Sequence, residues 1–425
     1  MLEKNKYSFN EFVDLFKEGN FYDWFRGFCD AESNFLIRVR KGSEDNIKGF
    51  EFIFRIALHI DDLQVLKEIQ NKLKCRKIIK DRNTFVYHVS SLKDIETIII
   101  PLFIKWPLMT TKYLDFLDFK ESFILFKKRQ IDKQNKDEYN IEILKLKNNI
   151  NDKRVNFLIS ENNINITINY LLGLIEGDGS FYFNKTDNTV RISLIMIKNN
   201  RIVLEKIKEF LLKNLDENSL FLVKHTKLIY INNKAIITNR KEMTSLEISQ
   251  LDYICNKLLP VFDKLNFRTK KYLDYLAFKR IAFLLLDGKH LSVKGKIIID
   301  KFADTMNNSR LSTKLKDNLT NFSELEINME LLEKADPLIQ NYPDGRALSL
   351  VNKNWIKKPI ILEVILPDKQ KIYFPTGVSC AKYFSVSSTT ITARLNDKKP
   401  LINKEKNILA LGLKRVKVFL NLTLK

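Results

Sequence analysis

The sequence predicts an α+β fold of two similar halves, followed by a smaller C-terminal unit. Two observations support this prediction: short segments recur along the chain, and helical and strand-like apolar patterns alternate within each half. A chain of 425 residues is long enough for two or three domains of about 100–200 residues each. With 45% hydrophobic residues it can also form sizeable cores.

The first recurring element is an apolar helix that ends in acidic residues. WFRGFCDAESNF at 24–35 is similar to LLGLIEGDGSF at 171–181, and an offset of 146 residues aligns the two segments. Small residues lie four positions apart in each copy, so they share one helix face. Two such faces can pack closely against each other, which predicts a helix–helix interface. Its small residues are Gly27, Ala31, Gly173 and Gly177.

The same offset aligns Glu32 with Asp178. If the two helices pack together, these carboxylates lie side by side and repel each other unless a cation neutralises them. Mg²⁺ prefers oxygen ligands and is common near phosphates, so we expect both acids to bind Mg²⁺. The alternative is a pair of solvated acids at the ends of two core helices. Asn34 and Gly179 suit a left-handed turn that would end each helix.

Strand-like segments follow these helices. FLIRVR at 35–40 and EFIFRIALH at 51–59 have the two-residue period of half-buried strands, and VRISLIMIK at 190–198 is a more apolar counterpart. Basic side chains in and beside such strands can hold phosphates or read bases, although each can equally be an ordinary surface charge. The candidates are Arg38, Arg40, Arg55, Lys185 and Arg191.

A second recurring element, read as a lysine-containing helix, closes each half. PLFIKWPLMTTKYLDFLDFK at 101–120 and PVFDKLNFRTKKYLDYLAFK at 260–279 are identical at 11 of 20 positions. Lys112 and Lys271 occupy equivalent places in them. An ammonium group near a phosphate can stabilise developing negative charge or help to activate water. In a lysine-rich chain, both can also be ordinary exposed lysines.

The remaining segments carry weaker patterns. Residues 127–154 are polar and highly charged, which predicts a linker with an exposed helix, and residues 286–356 show no repeat and predict only a partly helical extension. Two strands around a PDKQ turn are predicted at 360–374, and two short helices at 374–401. Ser387 or Ser388 can cap the second of these helices.

The composition limits the partners. Lys and Arg number 72 against 51 Asp and Glu, which gives a net charge of +21. This excess favours a polyanion, above all a nucleic acid, although an AT-rich gene would also over-supply lysine. Four scattered cysteines without a CxxC pair indicate neither a zinc site nor a disulfide framework. No apolar run is long enough for a membrane span, so we expect no membrane partner.

The motifs GFCDAESNF and GLIEGDGSF resemble those of LAGLIDADG homing endonucleases in their single-chain, two-repeat form. The resemblance covers roughly residues 15–285, and Ser33 stands where the family usually has glycine. It implies two pseudo-symmetric αββαββα repeats that form a saddle of two antiparallel sheets over the DNA major groove. It also implies that Glu32 and Asp178 are the metal-binding acids and that Lys112 and Lys271 are active-site lysines. The motifs' other acids, Asp30 and Glu176, are expected to be structural or capping.

The C-terminal unit resembles NUMOD1, a small helix-turn-helix module that is appended to intron-encoded nucleases. Its second helix would present an exposed face to DNA, unless the two helices pack for structural reasons alone. That face carries Thr389, Thr390, Thr392 and Arg394. The resulting domain prediction is repeat 1 at 10–128, a charged linker at 129–164, repeat 2 at 165–285, the extension at 286–356 and the module at 357–425.

The resemblance implies a monomeric, Mg²⁺-dependent endonuclease that cuts a specific site in double-stranded DNA. It also implies an intron-encoded protein that is mitochondrial or belongs to another organelle. The alternative is an RNA-binding protein on the same scaffold, either an intron maturase or an rRNA-binding ribosomal component, because phosphate contacts serve RNA equally well. A third possibility is a DNA-binding regulator that uses the helix-turn-helix.

Overall fold

The structure is a computed structural model. It describes residues 21–43, 46–75, 77–151, 154, 155, 157, 164–215, 229–235, 242–307, 312, 313, 322–342, 347–357, 361–374, 377–403 and 407–416.

The first half has the predicted order of helix, two strands, helix, two strands and helix. Its elements are α1 (Phe21–Glu32), β1 (Ser33–Lys41), β2 (Ile47–His59), α2 (Leu63–Leu73), β3 (Lys77–Asp81), β4 (Thr84–Val89), α3 (the run of Leu92–Asp94, the π-helical Ile95–Ile99 and Ile100–Lys105) and α4 (Lys112–Ile131). Helix α5 (Lys136–Asn149) follows.

The second half repeats this order. Its elements are α6 (Ile168–Asp178), β5 (Gly179–Asn184), β6 (Thr189–Ile197), α7 (Arg201–Asn214), β7 (Ile229–Ala235), β8 (Glu242–Ile248), α8 (the run of Leu251–Tyr253, the π-helical Ile254–Leu258 and Leu259–Phe262) and α9 (Lys271–Leu286). Each half has a four-stranded antiparallel sheet, in the orders β1-β2-β4-β3 and β5-β6-β8-β7. The predicted α+β class and the two antiparallel sheets are confirmed.

The recurring lysine element is not one helix, as expected, but the end of one helix and the start of another. In the first half, α3 ends at Lys105 and α4 begins at Lys112. Trp106 leaves the helical region (φ −123°, ψ 72°) because it precedes Pro107, whose ring disfavours helical geometry in the residue before it. The break places Lys112 at the first turn of a new helix.

The predicted left-handed turns at the ends of α1 and α6 are wrong. Gly179 is extended (φ −74°, ψ 153°), and Asn34 lies inside β1. Within the described ranges, the only glycine with a positive φ is Gly288. Helices α1 and α6 therefore run directly into the first strand of their sheets, because the next residue continues the chain in strand geometry rather than reversing it.

Each sheet has one face on a hydrophobic core and one face away from it. Phe52, Phe54 and Ile56 of β2 are fully buried against the helices, as the two-residue period predicts. The linker segment contributes to this core as well, since Ile143 and Ile150 are buried in it. Helix α5 is therefore packed along one face, and not simply exposed as predicted.

A further repeat, which is not among the predicted ones, closes each half. Asn151 follows α5 in the left-handed conformation (φ 62°). Its backbone N–H donates to Asp115 of α4 (3.1 Å), and its side-chain amide donates to the carbonyl of Phe35 in β1 (3.1 Å). The equivalent residues in the second half are Asn307 (φ 56°), Asp274 and Phe181. The extension thus begins with a structural repeat, which INDKR at 150–154 and MNNSR at 306–310 already suggest.

The rest of the chain forms an extension and a C-terminal unit. The extension contains α10 (Val293–Ala303), α11 (Phe322–Lys334) and a sheet of β9 (Ile339–Asn341), β10 (Ala347–Ser349) and β11 (Trp355–Lys357). The C-terminal unit contains β12 (Ile361–Ile365), β13 (Lys371–Phe374), α12 (Gly377–Tyr383), α13 (Ser388–Asp397), β14 (Leu401–Ile402), β15 (Ile408–Ala410) and β16 (Gly412–Val416).

The C-terminal unit has its own small core, which includes Val364, Phe374 and Ile391. The predicted hairpin is present as β12 and β13, and the two predicted helices are α12 and α13. Of the two possible caps, Ser387 is the one used, since its hydroxyl accepts the N–H of Thr390 (3.1 Å). None of the helices in the described ranges is long and apolar enough to cross a bilayer.

Candidate active site

Helices α1 and α6 pack against each other through their small residues. At Gly27 and Gly173, an added Cβ would overlap a backbone carbonyl group of the facing helix. At Gly177, it would overlap the methyl group of Ala31. The absence of side chains at these positions therefore allows the two backbones to touch, which aligns the ends of both helices.

The aligned ends bring Glu32 and Asp178 together. Glu32 is the last residue of α1 and Asp178 the last of α6. A Cβ at Gly177 would lie 3.2 Å from the Cγ of Glu32, so the Glu32 side chain lies against the residue that precedes Asp178. Burial raises the pKa of Glu32, and the charge of Asp178 raises it further. Burial also raises the pKa of Asp178, although its side chain remains accessible to solvent.

Lys112 and Lys271 oppose this repulsion, since the charge of each lowers the pKa of both acids. Each lysine also donates from its Nζ to two carbonyl oxygens where helix passes into strand. The acceptors are Ala31 (3.1 Å) and Ser33 (2.6 Å) for Lys112, and Gly177 (3.1 Å) and Gly179 for Lys271. Desolvation lowers the pKa of Lys271, against the attraction of nearby acids that include Glu32 and Asp178. Both lysines are thus held in equivalent places beside the acid pair.

The motifs' other two acids, Asp30 and Glu176, are buried and fully hydrogen-bonded. Each accepts two backbone N–H groups and one threonine hydroxyl from the turn before a lysine helix, and one bond from an aromatic side chain of the opposite half. The donors are Met109, Thr110 and Tyr170 for Asp30, and Arg268, Thr269 and Trp24 for Glu176. Burial raises the pKa of both acids. Their capping role is the one expected from the sequence.

Two residues of this region were missed by sequence reasoning. Asn200 accepts the N–H of Thr111 through its side-chain oxygen (2.8 Å), and Asp62 accepts the N–H of Lys270 (2.7 Å). Both follow the second strand of their own half and cap a lysine helix of the other half. The doublets DD at 61–62 and NN at 199–200, each between a strand and a helix, are the only sequence signal for them.

Ser33 fits the position where the second half has Gly179. Its hydroxyl donates to the carbonyl of Cys29 in the last turn of α1 (2.7 Å). At Gly179, an added Cβ would overlap the equivalent carbonyl of Ile175, so the backbone of the second half is not open to the same side chain. Ser33 still offers its carbonyl to Lys112. The departure from the family motif therefore leaves the lysine contact intact.

The outer face of the first sheet is basic. Arg38 and Arg40 are exposed on β1, and Arg55 is partly exposed on β2. Arg40 approaches Glu51 (3.8 Å), whereas Arg38 and Arg55 form no ion pair with any described residue. Burial is the main cause that lowers the pKa of His88 on the same sheet. The positive charges of Arg38 and Arg55 lower it further, whereas the charge of Glu51 raises it. On this face the three arginines therefore outnumber Glu51, the acid that lies opposite Arg38.

The candidate cations of the second half are neutralised. Arg191 on β6 pairs with Asp187 (2.5 Å) and approaches Glu247 (4.0 Å). Lys185 lies in the turn between β5 and β6, not on a strand, and pairs with Asp304 (2.6 Å).

In the C-terminal unit, the four predicted contact residues lie on α13. Thr389 and Thr392 are exposed, while Thr390 and Arg394 are partly buried. Arg394 pairs with Asp397 (2.7 Å).

A divalent metal fits the acid pair. In the part of the chain that the structure describes, no three His, Cys, Asp or Glu residues are placed to hold a metal together. Glu32 and Asp178 are two oxygen donors with raised pKa values, and Asp178 is open to solvent. Mg²⁺ typically binds one or two carboxylates and completes its shell with water and substrate phosphates. The donor set therefore suits a metal that a bound phosphate helps to hold.

A family model described as LAGLIDADG endonuclease matches residues 25–123 and 171–282. Each matched range covers most of one acid-ended helix and most of one lysine helix of the site. Both halves of the chain thus match the LAGLIDADG endonuclease family, with one repeat in each half. The match includes neither the extension beyond residue 282 nor the C-terminal unit.

Its relatives include an uncharacterized mitochondrial protein and probable intron-encoded endonucleases. The uncharacterized mitochondrial protein RF1 of Saccharomyces cerevisiae is 26% identical over 409 residues, which cover 92% of this chain and 82% of that protein. The probable intron-encoded endonuclease 2 of Neurospora crassa is 28% identical, over 63% of this chain and 61% of that protein. The probable intron-encoded endonuclease aI3 of Kluyveromyces lactis is 27% identical, over 60% of this chain and 64% of that protein. The chain thus spans less than two thirds of both endonucleases. A mitochondrial or organellar protein was expected, and these relatives agree with it.

Solved structures show the same LAGLIDADG fold. The homing endonuclease I-LtrWI bound to target DNA superposes with a TM-score of 0.55 at 23% identity, over 68% of this chain and 99% of that chain. The meganuclease I-SmaMI bound to uncleavable DNA gives a TM-score of 0.57 at 24% identity, over 68% and 98%.

Proposed function

We propose that this protein is a homing endonuclease that cuts a specific site in double-stranded DNA. The acid pair at the interface of α1 and α6 carries the proposal, because two crowded carboxylates with one lysine on each side match the chemistry of phosphodiester hydrolysis. Relatives that are named intron-encoded endonucleases support it. The same relatives do not favour the alternative of an RNA-binding protein without nuclease activity.

In the proposed site, Glu32 and Asp178 hold the divalent metal. When bound, Mg²⁺ would neutralise the two acids and polarise the scissile phosphate. I-SmaMI, which shares the fold, has a solved structure with uncleaved target DNA in the presence of calcium ions, and this supports a divalent metal. Magnesium itself is our proposal for this chain.

The proposed role of Lys112 and Lys271 follows from their hydrogen bonds. An ammonium group has three donors, and carbonyl oxygens of the helix–strand junction accept two of them. The third can reach a water molecule or a phosphate oxygen. Each lysine would therefore orient the attacking water and stabilise negative charge on one strand of the duplex.

The DNA would lie across the outer faces of the two sheets. Arg38, Arg40 and Arg55 would contact it on the first sheet, and Lys185 and Arg191 on the second. We further propose that residues 357–425 form a NUMOD1-like module whose α13 extends the contact through Thr389, Thr390, Thr392 and Arg394. Its separate core supports this division of the chain. The division into repeats, linker and extension is proposed with it, as is a monomeric, intron-encoded protein.

Selection of cleaved sites from a DNA library tests the function. Purified protein should cut a subset of the library with Mg²⁺ and none with a chelator. The double variant Glu32→Gln, Asp178→Asn should bind the selected site but lose cleavage by about a thousandfold. Cleavage by the double variant at the rate of the wild type would refute the assignment of the acids. Tight binding to structured RNA, with no cleavage of any DNA, would instead favour the maturase or ribosomal alternative.

A further inference from the structure

We propose that Asp62 and Asn200 are positioning residues that hold each catalytic lysine from the opposite half of the chain. The inference rests on the proposed endonuclease function and adds to it. The lysine that assists cleavage of each strand would then lie on a helix that is anchored in both repeats.

The start of α4 shows the arrangement. Three successive N–H groups precede Lys112, and each has a side-chain acceptor. Asp30 of the same half accepts those of Met109 (2.8 Å) and Thr110 (3.2 Å). Asn200 of the second half accepts that of Thr111 (2.8 Å). The residue after this last contact is Lys112 itself.

The start of α9 mirrors it with the halves exchanged. Glu176 of the same half accepts the N–H groups of Arg268 (2.7 Å) and Thr269 (2.6 Å). Asp62 of the first half accepts that of Lys270 (2.7 Å), and Lys271 follows. Because the contact recurs in both halves with the same geometry, a chance hydrogen bond is a poor explanation for it.

Water cannot easily replace the contact between Asn200 and Thr111. Asn200 and Thr111 are both buried, with 8% of their surface exposed. A buried N–H group that loses its acceptor must find another, so the first turn of the helix has to shift. The Nζ of the lysine would shift with it, while the carbonyl acceptors of that Nζ remain fixed in the helix–strand junction. A displacement of about 1 Å at a catalytic group is enough to slow a reaction about a hundredfold.

The two caps differ in charge. Asp62 lies beside Asp61, which pairs with the side chain of Lys270, so a cation is available to the acids on that side. Asn200 accepts the N–H of Thr111, whose side chain carries no charge. The neutral amide therefore suits the buried side and the carboxylate suits the side with the lysine.

The rates of cutting the two strands test the proposal. A duplex that carries the selected site and a different label on each strand is cleaved by excess protein in Mg²⁺. Asp62→Ala should slow the cut in one strand by about ten- to a hundredfold relative to the other strand, and Asn200→Ala should slow the cut in the opposite strand. Asp62→Asn keeps an acceptor oxygen and should retain the strand ratio of the wild type.

A matched control separates positioning from general destabilisation. Ser292 caps α10 by accepting the N–H of Gly295 (3.0 Å), so Ser292→Ala also removes a helix cap but should leave the strand ratio unchanged. Thermal melting and binding to the site in Ca²⁺ show that each variant is folded. An unchanged ratio in both alanine variants, or equal slowing of both strands, would overturn the inference. A wild-type chain that cuts no site would refute the proposed function, and this inference with it.

Discussion

The two halves of this protein have nearly the same residues around the acid pair, which we call the floor of the site. They differ on the outer faces of their sheets. At the floor, the acid, the lysine, the capping acid and the cross-half cap recur with nearly the same hydrogen bonds. On the sheets, Arg38 and Arg55 of the first half form no ion pair with described residues, whereas acids neutralise Arg191 in the second. Arg38 and Arg55 on one outer face thus have no ion pair with described residues, whereas the charge of Arg191 on the other face is compensated.

The difference separates two kinds of requirement. Hydrolysis of a phosphodiester demands the same chemistry on both strands, so the groups at the floor have little freedom to diverge. The sheet faces only have to fit whatever the two ends of a duplex present to them. Because the faces differ in charge, the two ends of a bound duplex meet different contacts, which suits a target without twofold symmetry.

The largest effect is expected where the halves touch. Gly173→Ala should lower the free energy of unfolding by about 3 kcal/mol or prevent folding, because its Cβ would overlap the facing backbone. Gly27→Ala should behave in the same way. Gly49→Ala is the matched control, since nothing lies within 4 Å of its added Cβ. Urea denaturation measures all three, and a Gly173→Ala variant as stable as the control would contradict the close packing.

The next effect tests the contrast between the sheets. The double variant Arg38→Ala, Arg55→Ala should weaken DNA binding by about tenfold or more, and reduce the slope of log K against log salt by about 1–2. Arg191→Ala should change both quantities less, because Asp187 and Glu247 already offset its charge. Titrations at several salt concentrations in Ca²⁺ measure the slopes. Equal losses from the two sheets would show that the ion pairs open on binding.

A smaller effect concerns the stability cost of the acid pair. Since the folded state raises the pKa of Glu32 and Asp178, it binds more protons than the unfolded state between the ordinary and the raised values. The free energy of unfolding therefore falls as the pH rises through that interval, and stays lower above it. Glu32→Gln with Asp178→Asn should be more stable than the wild type at pH 8 by about 0.5–1 kcal/mol, a modest figure because Asp178 faces solvent.

Melting in the presence of a chelator checks this prediction. The advantage of the double variant should shrink as the pH falls through the raised pKa values and disappear below the ordinary ones, where both acids of the wild type are protonated in the folded and the unfolded state. Added Mg²⁺ should raise the melting temperature of the wild type but not that of the variant. A double variant that melts below the wild type at pH 8 would contradict the crowding of the acids.

The smallest effect is expected at the one motif position where the halves differ. Ser33→Gly removes a hydroxyl that donates to Cys29, and should lower the free energy of unfolding by less than about 1 kcal/mol, with cleavage unchanged. The reverse change, Gly179→Ser, should cost more because a Cβ there would overlap the carbonyl of Ile175. Similar melting temperatures for the two variants would show that the junctions are interchangeable.

Local pattern in the sequence already determined much of this protein. The two-residue period of β2, the apolar helices that end in Glu32 and Asp178, and the duplicated lysine element are visible without coordinates. The periods predict the α+β class, because burial on one face of a strand or helix imposes its period on the sequence. The resemblance of the two acid-ended motifs implies the family and the two antiparallel sheets.

Only the tertiary structure decided how the halves support each other. The caps at Asp62 and Asn200 and the hydrogen bonds of Asn151 and Asn307 to the first strand of each half all join residues far apart in the chain. Polar side chains carry no periodicity, and a hydrogen bond depends on positions within a few tenths of an ångström. The sequence could therefore indicate which groups perform the chemistry, whereas the packing of α1 on α6 determined which groups hold them in place.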